Sequence, residues 1–274
     1  MKRGEILKAY DFEFDGRCLS TFGMIICNFG SKGLDTVSNG SEITFNTVSV
    51  QGGLKHELVS TEYEDCLETT IQICKNSCSG GAMEIASHEL RELTRWLNRK
   101  KFLKFKILDE DYYDLYFEAS FNISRIEFNG ILYGLELEVR TNRPFALKEP
   151  RIITINNTAE NIADNKKHSI FDVSHEEGYI YPHTKITILE DGDLEIYNAL
   201  EDRNTYISNC VAGEVITMNY PIVQSSLSSH EIQDDFNWKW LRIANTYENR
   251  RNDLTISLPC TIKIEYSPIV KVGL

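Results

Sequence analysis

The chain has 274 residues, 42% of them hydrophobic, and its 29 Lys and Arg against 41 Asp and Glu leave a formal charge of −12. That balance works against wrapping nucleic acid or lying on an anionic membrane, since both would repel it. No stretch approaches the roughly 20 apolar residues of a membrane helix, and Met1-Lys2-Arg3-Gly4-Glu5 lacks the apolar run of a secretory signal. The expectation is therefore folding in a cytosol, with Cys18, Cys27, Cys66, Cys74, Cys78, Cys210 and Cys260 reduced.

The pattern along the chain is mostly β. Lys8 to Asp15 alternates, with Tyr10, Phe12 and Phe14 opposite Asp11, Glu13 and Asp15, and Gly16-Arg17 reads as the turn that follows. Met24 to Phe29 is a strand, Gly30 to Gly40 a loop, and Ile43–Val50 and Tyr63–Lys75 are further strands. In Tyr63–Lys75 the apolar face is Leu67, Thr69, Ile71 and Ile73, while Cys66 and Cys74 fall on the other with Glu68, Thr70 and Gln72. Thiols behave as small hydrophobes, so that second face is expected to be partly covered by a neighbour. Asn76 to Gly81 is a glycine- and serine-rich connection. One helix follows: Ser87 caps it, Glu89 sits in its first turn, Leu90, Leu93 and Leu97 recur at helical spacing with Trp96 beside them, and Arg99-Lys100-Lys101 suits its negative end.

Lys101–Asp109 is then a strand, and Asp109-Glu110-Asp111 turns the chain into a hairpin from Tyr112 to Ala146. Its first strand sets Tyr113, Leu115, Phe117, Ala119 and Phe121 against Asp114, Tyr116, Glu118 and Ser120. Its second sets Leu135, Leu137 and Val139 against Glu136, Glu138 and Arg140, with Ser124 to Gly130 as the connection. A period of two gives each strand one buried and one open face. Pro144 to Pro150 marks a boundary, because two prolines in seven residues stop helix and ladder alike. The reading is thus two domains, 1–146 and 147–274. The second has no convincing helix. It shows short strands at Arg151–Asn156, Lys185–Leu189, Leu194–Asn198, Thr205–Ser208, Val215–Asn219, Trp240–Ile243, Asp253–Leu258 and Thr261–Tyr266, with Asp191-Gly192 as a two-residue hairpin turn. So many short strands in so few residues predict a sandwich or jelly roll.

Chemistry is thin. There is no Gly-x-Ser-x-Gly, and His56, His88, His168, His175, His183 and His230 are scattered. Gly52-Gly53 and Gly80-Gly81 lack the context of a phosphate loop. Cys74 and Cys78, with Cys66 and His88 near, are the one soft-ligand grouping, and its spacing favours free thiols over zinc. Asp191-Gly-Asp193 lacks the further ligands of a calcium loop, and the paired carboxylates read as a solvated surface. Two aromatic sets, Tyr179-Tyr181-His183 and Trp238-Trp240, are candidate sugar platforms, weighed against ordinary core packing.

The order of several motifs resembles the distal tail protein of long-tailed, non-contractile bacteriophages, also called Dit or phage tail component. They are Phe14-Asp-Gly-Arg with Phe22-Gly23, Leu93-Thr-Arg-Trp96-Leu97, the Asp111 to Leu137 hairpin ending in Arg143-Pro144-Phe145-Ala146, Ile155-Asn-Asn157, Pro182 to Leu189, Gly192 to Asn198, Gly213-Glu214, Asp234 to Trp238 and Asn252 to Ile256. The resemblance spans essentially the whole chain. It implies a mainly β protein: an N-terminal β-sandwich or split-barrel-like domain with one α-helix, and a C-terminal galectin-like jelly-roll sandwich. It further implies a hexameric ring of the first domain in the virion tail tip, assembled in the host cytoplasm. That ring would join the tail tube protein to the baseplate hub or tail-associated protein and a receptor-binding protein, with DNA only in transit through a central channel. No catalytic residue, cofactor or metal is carried over, and no membrane contact.

On that reading Asp114, Tyr116, Glu118, Glu136 and Glu138 form a candidate subunit-contact or acidic channel face, with Cys66 and Cys74 also turned towards a neighbour. The alternative is a carbohydrate-binding or adhesin module. Its working part would be the C-terminal sandwich, with Tyr181, His183, Trp238 and Trp240 as the platform.

Overall fold

The computed structural model describes residues 9–29, 43–49, 55–63, 66–79 and 82–272. The expected loop Gly30 to Gly40 and the pairs Gly52-Gly53 and Gly80-Gly81 lie outside these. The chain divides into two compact units: one holds the residues up to Lys148 together with the chain end from Val270, the other Glu149 to Ile269.

The first unit contains β1 (Phe12–Phe14), β2 (Arg17–Cys18), β3 (Met24–Cys27), β4 (Ile43–Ser49), β5 (His56–Tyr63), β6 (Glu68–Lys75), α1 (Ser87–Leu97), β7 (Leu103–Ile107), β8 (Leu115–Phe128), β9 (Ile131–Thr141) and β10 (Ala146–Lys148). One sheet runs β2-β1-β7-β8-β9-β6-β3, and β10 joins it through β8. The inward faces meet in one cluster: Phe12 and Phe14, Phe105 and Ile107, Leu115 to Phe121 at alternate positions, Leu135, Leu137 and Val139, and Ile71 and Ile73. Alternation dictates this, since each strand offers every second side chain to the same side. Helix α1 closes the cluster with Leu93, Trp96 and Leu97. Trp96 stacks on Phe12 and Phe22 and donates its indole N–H to the Phe14 carbonyl at 2.9 Å, so its one polar atom is satisfied inside the core.

The structure corrects several local expectations. Ala86, not Ser87, holds the cap position of α1, and Glu89 takes the Ala86 N–H at 2.7 Å from inside the first turn. The turn after β1 is Asp15-Gly16, and the β8–β9 connection is only Asn129-Gly130; all four residues have positive φ, as a twisted two-residue hairpin demands. Strand β8 therefore continues through the segment read as a connection. Tyr113 precedes β8 and is 78% exposed, and Tyr10 is equally outside the core. The stretch Tyr63–Lys75 holds the end of one strand, β5, and the whole of another, β6.

The second unit contains β11 (Arg151–Asn157), α2 (Ala159–Ala163), β12 (His168–Phe171), β13 (Gly178–Ile180), β14 (His183–Ile188), β15 (Gly192–Asn198), β16 (Arg203–Cys210), β17 (Val215–Asn219), β18 (Ile222–Ser225), α3 (Ile232–Asp235), β19 (Ile243–Asn245), β20 (Arg251–Ile256) and β21 (Cys260–Tyr266). A five-stranded sheet, β11-β21-β14-β17-β18, and a four-stranded sheet, β12-β20-β15-β16, share one core. Ile186, Ile216, Ile262 and Ile264 come from the first sheet, and Leu194, Ile196, Ile207 and Leu254 from the second. This is the expected β-sandwich, with two short helical turns the sequence did not announce. Asp191-Gly192 does not close a hairpin. It carries the chain from β14 in one sheet to β15 in the other, because the dipeptide favours a tight bend without choosing the partner of the next strand. The last strand, β22 (Ile269–Val270), pairs with β10, and Val270 is buried in the first unit's core. The end of the chain thus belongs with the first unit, which the reading of 147–274 as one domain did not foresee.

Candidate functional site

The outward face of the first unit's sheet is built by register. Cross-strand partners share a face, and the pairs are Lys104 with Glu118, Ser120 with Arg140, Asn122 with Glu138 and Ser124 with Glu136. Across β9 and β6 they are Arg140 with Glu68, Glu138 with Thr70, Glu136 with Gln72 and Gly134 with Cys74. Tyr116, Glu118, Glu136 and Glu138 therefore stand on one surface, and Asp114 lies just before β8. That surface is a mosaic. Asp114 pairs with Lys148 at 3.1 Å, Glu118 with Arg143 at 3.3 Å, and Glu68 with Arg140 at 3.0 Å. Tyr116 lies under the Lys104 ammonium, 4.6 Å from its ring centre. Glu136 and Glu138 accept from the neutral amides of Gln72 and Asn122.

Cys74 is covered from within the chain. Cys27 approaches it, and burial, then the Cys74 contact, pushes the Cys27 thiol up to about 12. Phe29 lies so close over Gly134 that a Cβ there would stand 2.5 Å from its ring. Cys66, Cys74, Cys78 and His88 form no metal-holding group, and no group of three or more His, Cys, Asp or Glu is placed for a metal among the described residues.

The most exposed element is the ribbon β4–β5, a two-stranded sheet of its own. Its register puts Ile43, Phe45, Leu58 and Tyr63 on one face, and Phe45 and Leu58 are 63% and 58% exposed. The alternation sets Ile43, Phe45 and Tyr63 in strands but Leu58 in none, so most of β5 is not foreseen. It gives no sign that this face would stay exposed among the described residues.

In the second unit the predicted aromatics do not form the expected platform. Trp240 is buried in the core and Trp238 is exposed at positive φ; both precede the strand, which starts at Ile243 rather than at Trp240, so no strand alternation sets them on one face. His183 is exposed on β14, apart from the ring contacts. An aromatic ridge of ring contacts nonetheless runs Tyr179–Tyr181–Tyr220–Trp240–Phe236–Trp238, with neighbouring ring centres 4.2 to 5.6 Å apart, buried at Trp240 and Phe236 and open at Tyr179, Tyr220 and Trp238. Tyr220 and Phe236 are the links that sequence spacing could not supply. Arg242 lies 4.0 Å over Tyr179 and pairs with Glu201 at 2.6 Å. Nearby, buried Glu214 accepts from His230 at 2.6 Å and from the Ser225 hydroxyl, a network that ties the loop before α3 to β17 and β18.

Comparison with known proteins puts these surfaces in context. Residues 7–143 match the family described as phage tail protein N-terminal domain, and residues 145–266 match phage tail C-terminal domain. The chain belongs to this phage tail protein family. Among solved structures it is similar to the Dit protein (gp 19.1) of SPP1, described as a paradigm of hub adsorption apparatus in Gram-positive infecting phages. The likeness has a TM-score of 0.64 at 10% identity and covers 95% of this chain and 99% of that one, so the two share a fold. No match was found among curated proteins. This phage tail protein is thus a structural component of a virion tail, working with other tail components. Among its described residues no helix is long and apolar enough to cross a membrane.

Proposed function

We propose that this tail protein acts as a distal tail hub. Six copies would close through the first unit into a ring that joins the tail tube to the baseplate hub and host-adhesion device, with a central channel for DNA. Assembly would take place in the host cytoplasm. The observation that carries this reading is the ribbon β4–β5. A two-stranded ribbon is marginal in water on its own, and this one leaves Ile43, Phe45 and Leu58 uncovered on a single face. A neighbouring copy would cover that face, and a head-to-tail contact repeated around an axis closes into a ring. The outward sheet face with Tyr116, Glu118, Glu136 and Glu138 is a second candidate contact or channel surface; its paired charges suit a neighbour better than a bare acidic wall. Replacing Phe45 and Leu58 by serine is expected to turn rings into monomers, seen by light scattering and negative stain, without changing far-UV circular dichroism. Unchanged rings would count against the reading.

A second reading, saccharide binding by the second unit, draws on the aromatic ridge, where Tyr179, Tyr220 and Trp238 are each about half exposed. Sugar rings stack on such faces. A glycan array with the full protein tests it: binding that disappears in Tyr220→Ala and Trp238→Ala supports it, and an empty array removes it.

A further inference from the structure

A hollow of about 220 Å³ in the first unit is lined by Arg17, Phe22, Glu92, Arg95, Trp96 and Arg99. Three guanidinium groups converge there in a chain of net charge −12. Phe22 stacked on Trp96 at 4.5 Å makes an aromatic floor. Arg99 donates to the Trp96 carbonyl at 3.2 Å and reaches only to 3.9 Å from Asp15. Arg17 and Arg95 make no side-chain hydrogen bond or ion pair among the described residues. Arg95 and Arg99 are four residues apart, on or just past α1, a like-charge spacing that costs stability. Guanidinium forks match carboxylates two bonds at a time. Glu92 in the same wall and Asp15 beside Arg99 offset only part of the three charges, so the hollow keeps a net positive charge.

Its complement lies on the same unit. Asp109 caps the turn after β7, accepting from the Asp111 N–H at 3.0 Å. Asp109, Glu110 and Asp111 have no cationic partner among the described residues, and exposed Leu108 and Tyr113 flank them. The two sites cannot meet within one copy. Strand β7 separates them: α1 and Arg99 precede its start, and the acidic turn follows its end. Arg17 lies at the starting end too, because β1 runs antiparallel to β7 with Phe14 opposite Phe105. Five residues of strand hold the sites about 17 Å apart. A patch and its complement at separated places is the arrangement a head-to-tail contact requires.

We propose that the Asp109-Glu110-Asp111 turn of one copy seats in the Arg17–Arg95–Arg99 hollow of the next, with Tyr113 or Leu108 against the Phe22 floor. This rests on the ring reading and names a contact for it. The test is a charge swap read by light scattering. Arg95→Glu with Arg99→Glu, and separately Glu110→Lys with Asp111→Lys, are each expected to weaken assembly about tenfold or more. All four changes in one chain are expected to restore it. The milder Arg17→Gln with Arg95→Gln is expected to weaken assembly most at low salt, where screening is least, and circular dichroism checks that each variant folds. A monomeric wild type would fail the ring reading itself. Rings that survive the Glu110→Lys/Asp111→Lys change would overturn this contact and leave the ring standing. Loss in both double variants without recovery in the fourfold chain would overturn the pairing, since the hollow then takes its carboxylate from elsewhere.

Discussion

The hairpin β8–β9 and the ribbon β4–β5 are both antiparallel pairs with alternating apolar side chains, yet among the described residues only the first finds its cover. In β8 and β9, Phe117, Phe121, Leu135 and Val139 meet α1, β1 and β7 in a closed core. In the ribbon, Ile43, Phe45 and Leu58 meet solvent. The contrast separates two kinds of information. Alternation says which side chains share a face, whereas the rest of the fold decides whether that face is buried. The sheet whose apolar face is closed supplies stability, and the ribbon whose apolar face stays open is the surface on which the proposed ring draws.

The contrast can be strained at five points, from large effects to small. Phe121 contacts Phe12, Phe14 and Phe105, so Phe121→Ala is expected to lose about 3–5 kcal/mol in denaturant unfolding. A loss under about 1 kcal/mol would contradict the closed core. Gly134→Ala would press a methyl against the Phe29 ring and against the Ile73 carbonyl oxygen, 2.7 Å from the new Cβ. Because the carbonyl belongs to a paired strand and cannot swing away, a cost of about 1–3 kcal/mol is expected, read as a lower Tm.

Buried thiols give the third point. Burial, with smaller help from Glu214 at Cys210, pushes Cys210 and Cys260 up to about 12 from an ordinary 9.0. The native state keeps these protons while the unfolded chain releases them. Stability is thus fully present below pH 9 and is lost as pH rises from 9 towards 12. Labelling at pH 8 should modify exposed Cys78 first, and Cys210 and Cys260 only after unfolding; early labelling of the latter two would break the account of the second core.

The fourth point is Glu89, whose carboxyl is held below its usual value first by the Lys75 ammonium at 2.8 Å and also by the Ala86 N–H. Its contribution is present above the ordinary carboxylate value and is lost as pH falls through the lowered one. The pair is partly exposed, so Glu89→Gln should cost no more than about 1 kcal/mol at pH 7 and less at pH 3. The smallest effect belongs to Phe45→Ala, which should change monomer stability by less than about 0.5 kcal/mol. A loss as large as that of Phe121→Ala would erase the difference between hairpin and ribbon.

What the sequence disclosed follows the same line. The buried faces of β1, β8 and β9 and the apolar stripe of α1 were readable, because local periodicity produces them. The route of Asp191-Gly192 between sheets was not, since turn chemistry fixes a bend and leaves the partner open. The aromatic ridge and the arginine hollow were invisible for another reason. Tyr220 joins Tyr181 to Trp240, and Arg17 joins Arg95 and Arg99, only through tertiary folding across tens of residues. The glutamates of the outward face were placed correctly by parity, but their cationic and amide partners depend on register, which parity alone does not supply.

The central claim is that this chain is finished only by copies of itself. Negative-stain imaging of the purified protein at micromolar concentration, with light scattering on the same sample, tests it most directly. The account predicts closed rings with a central hole and a mass near six chains; a uniform monomer with the same secondary structure would contradict it.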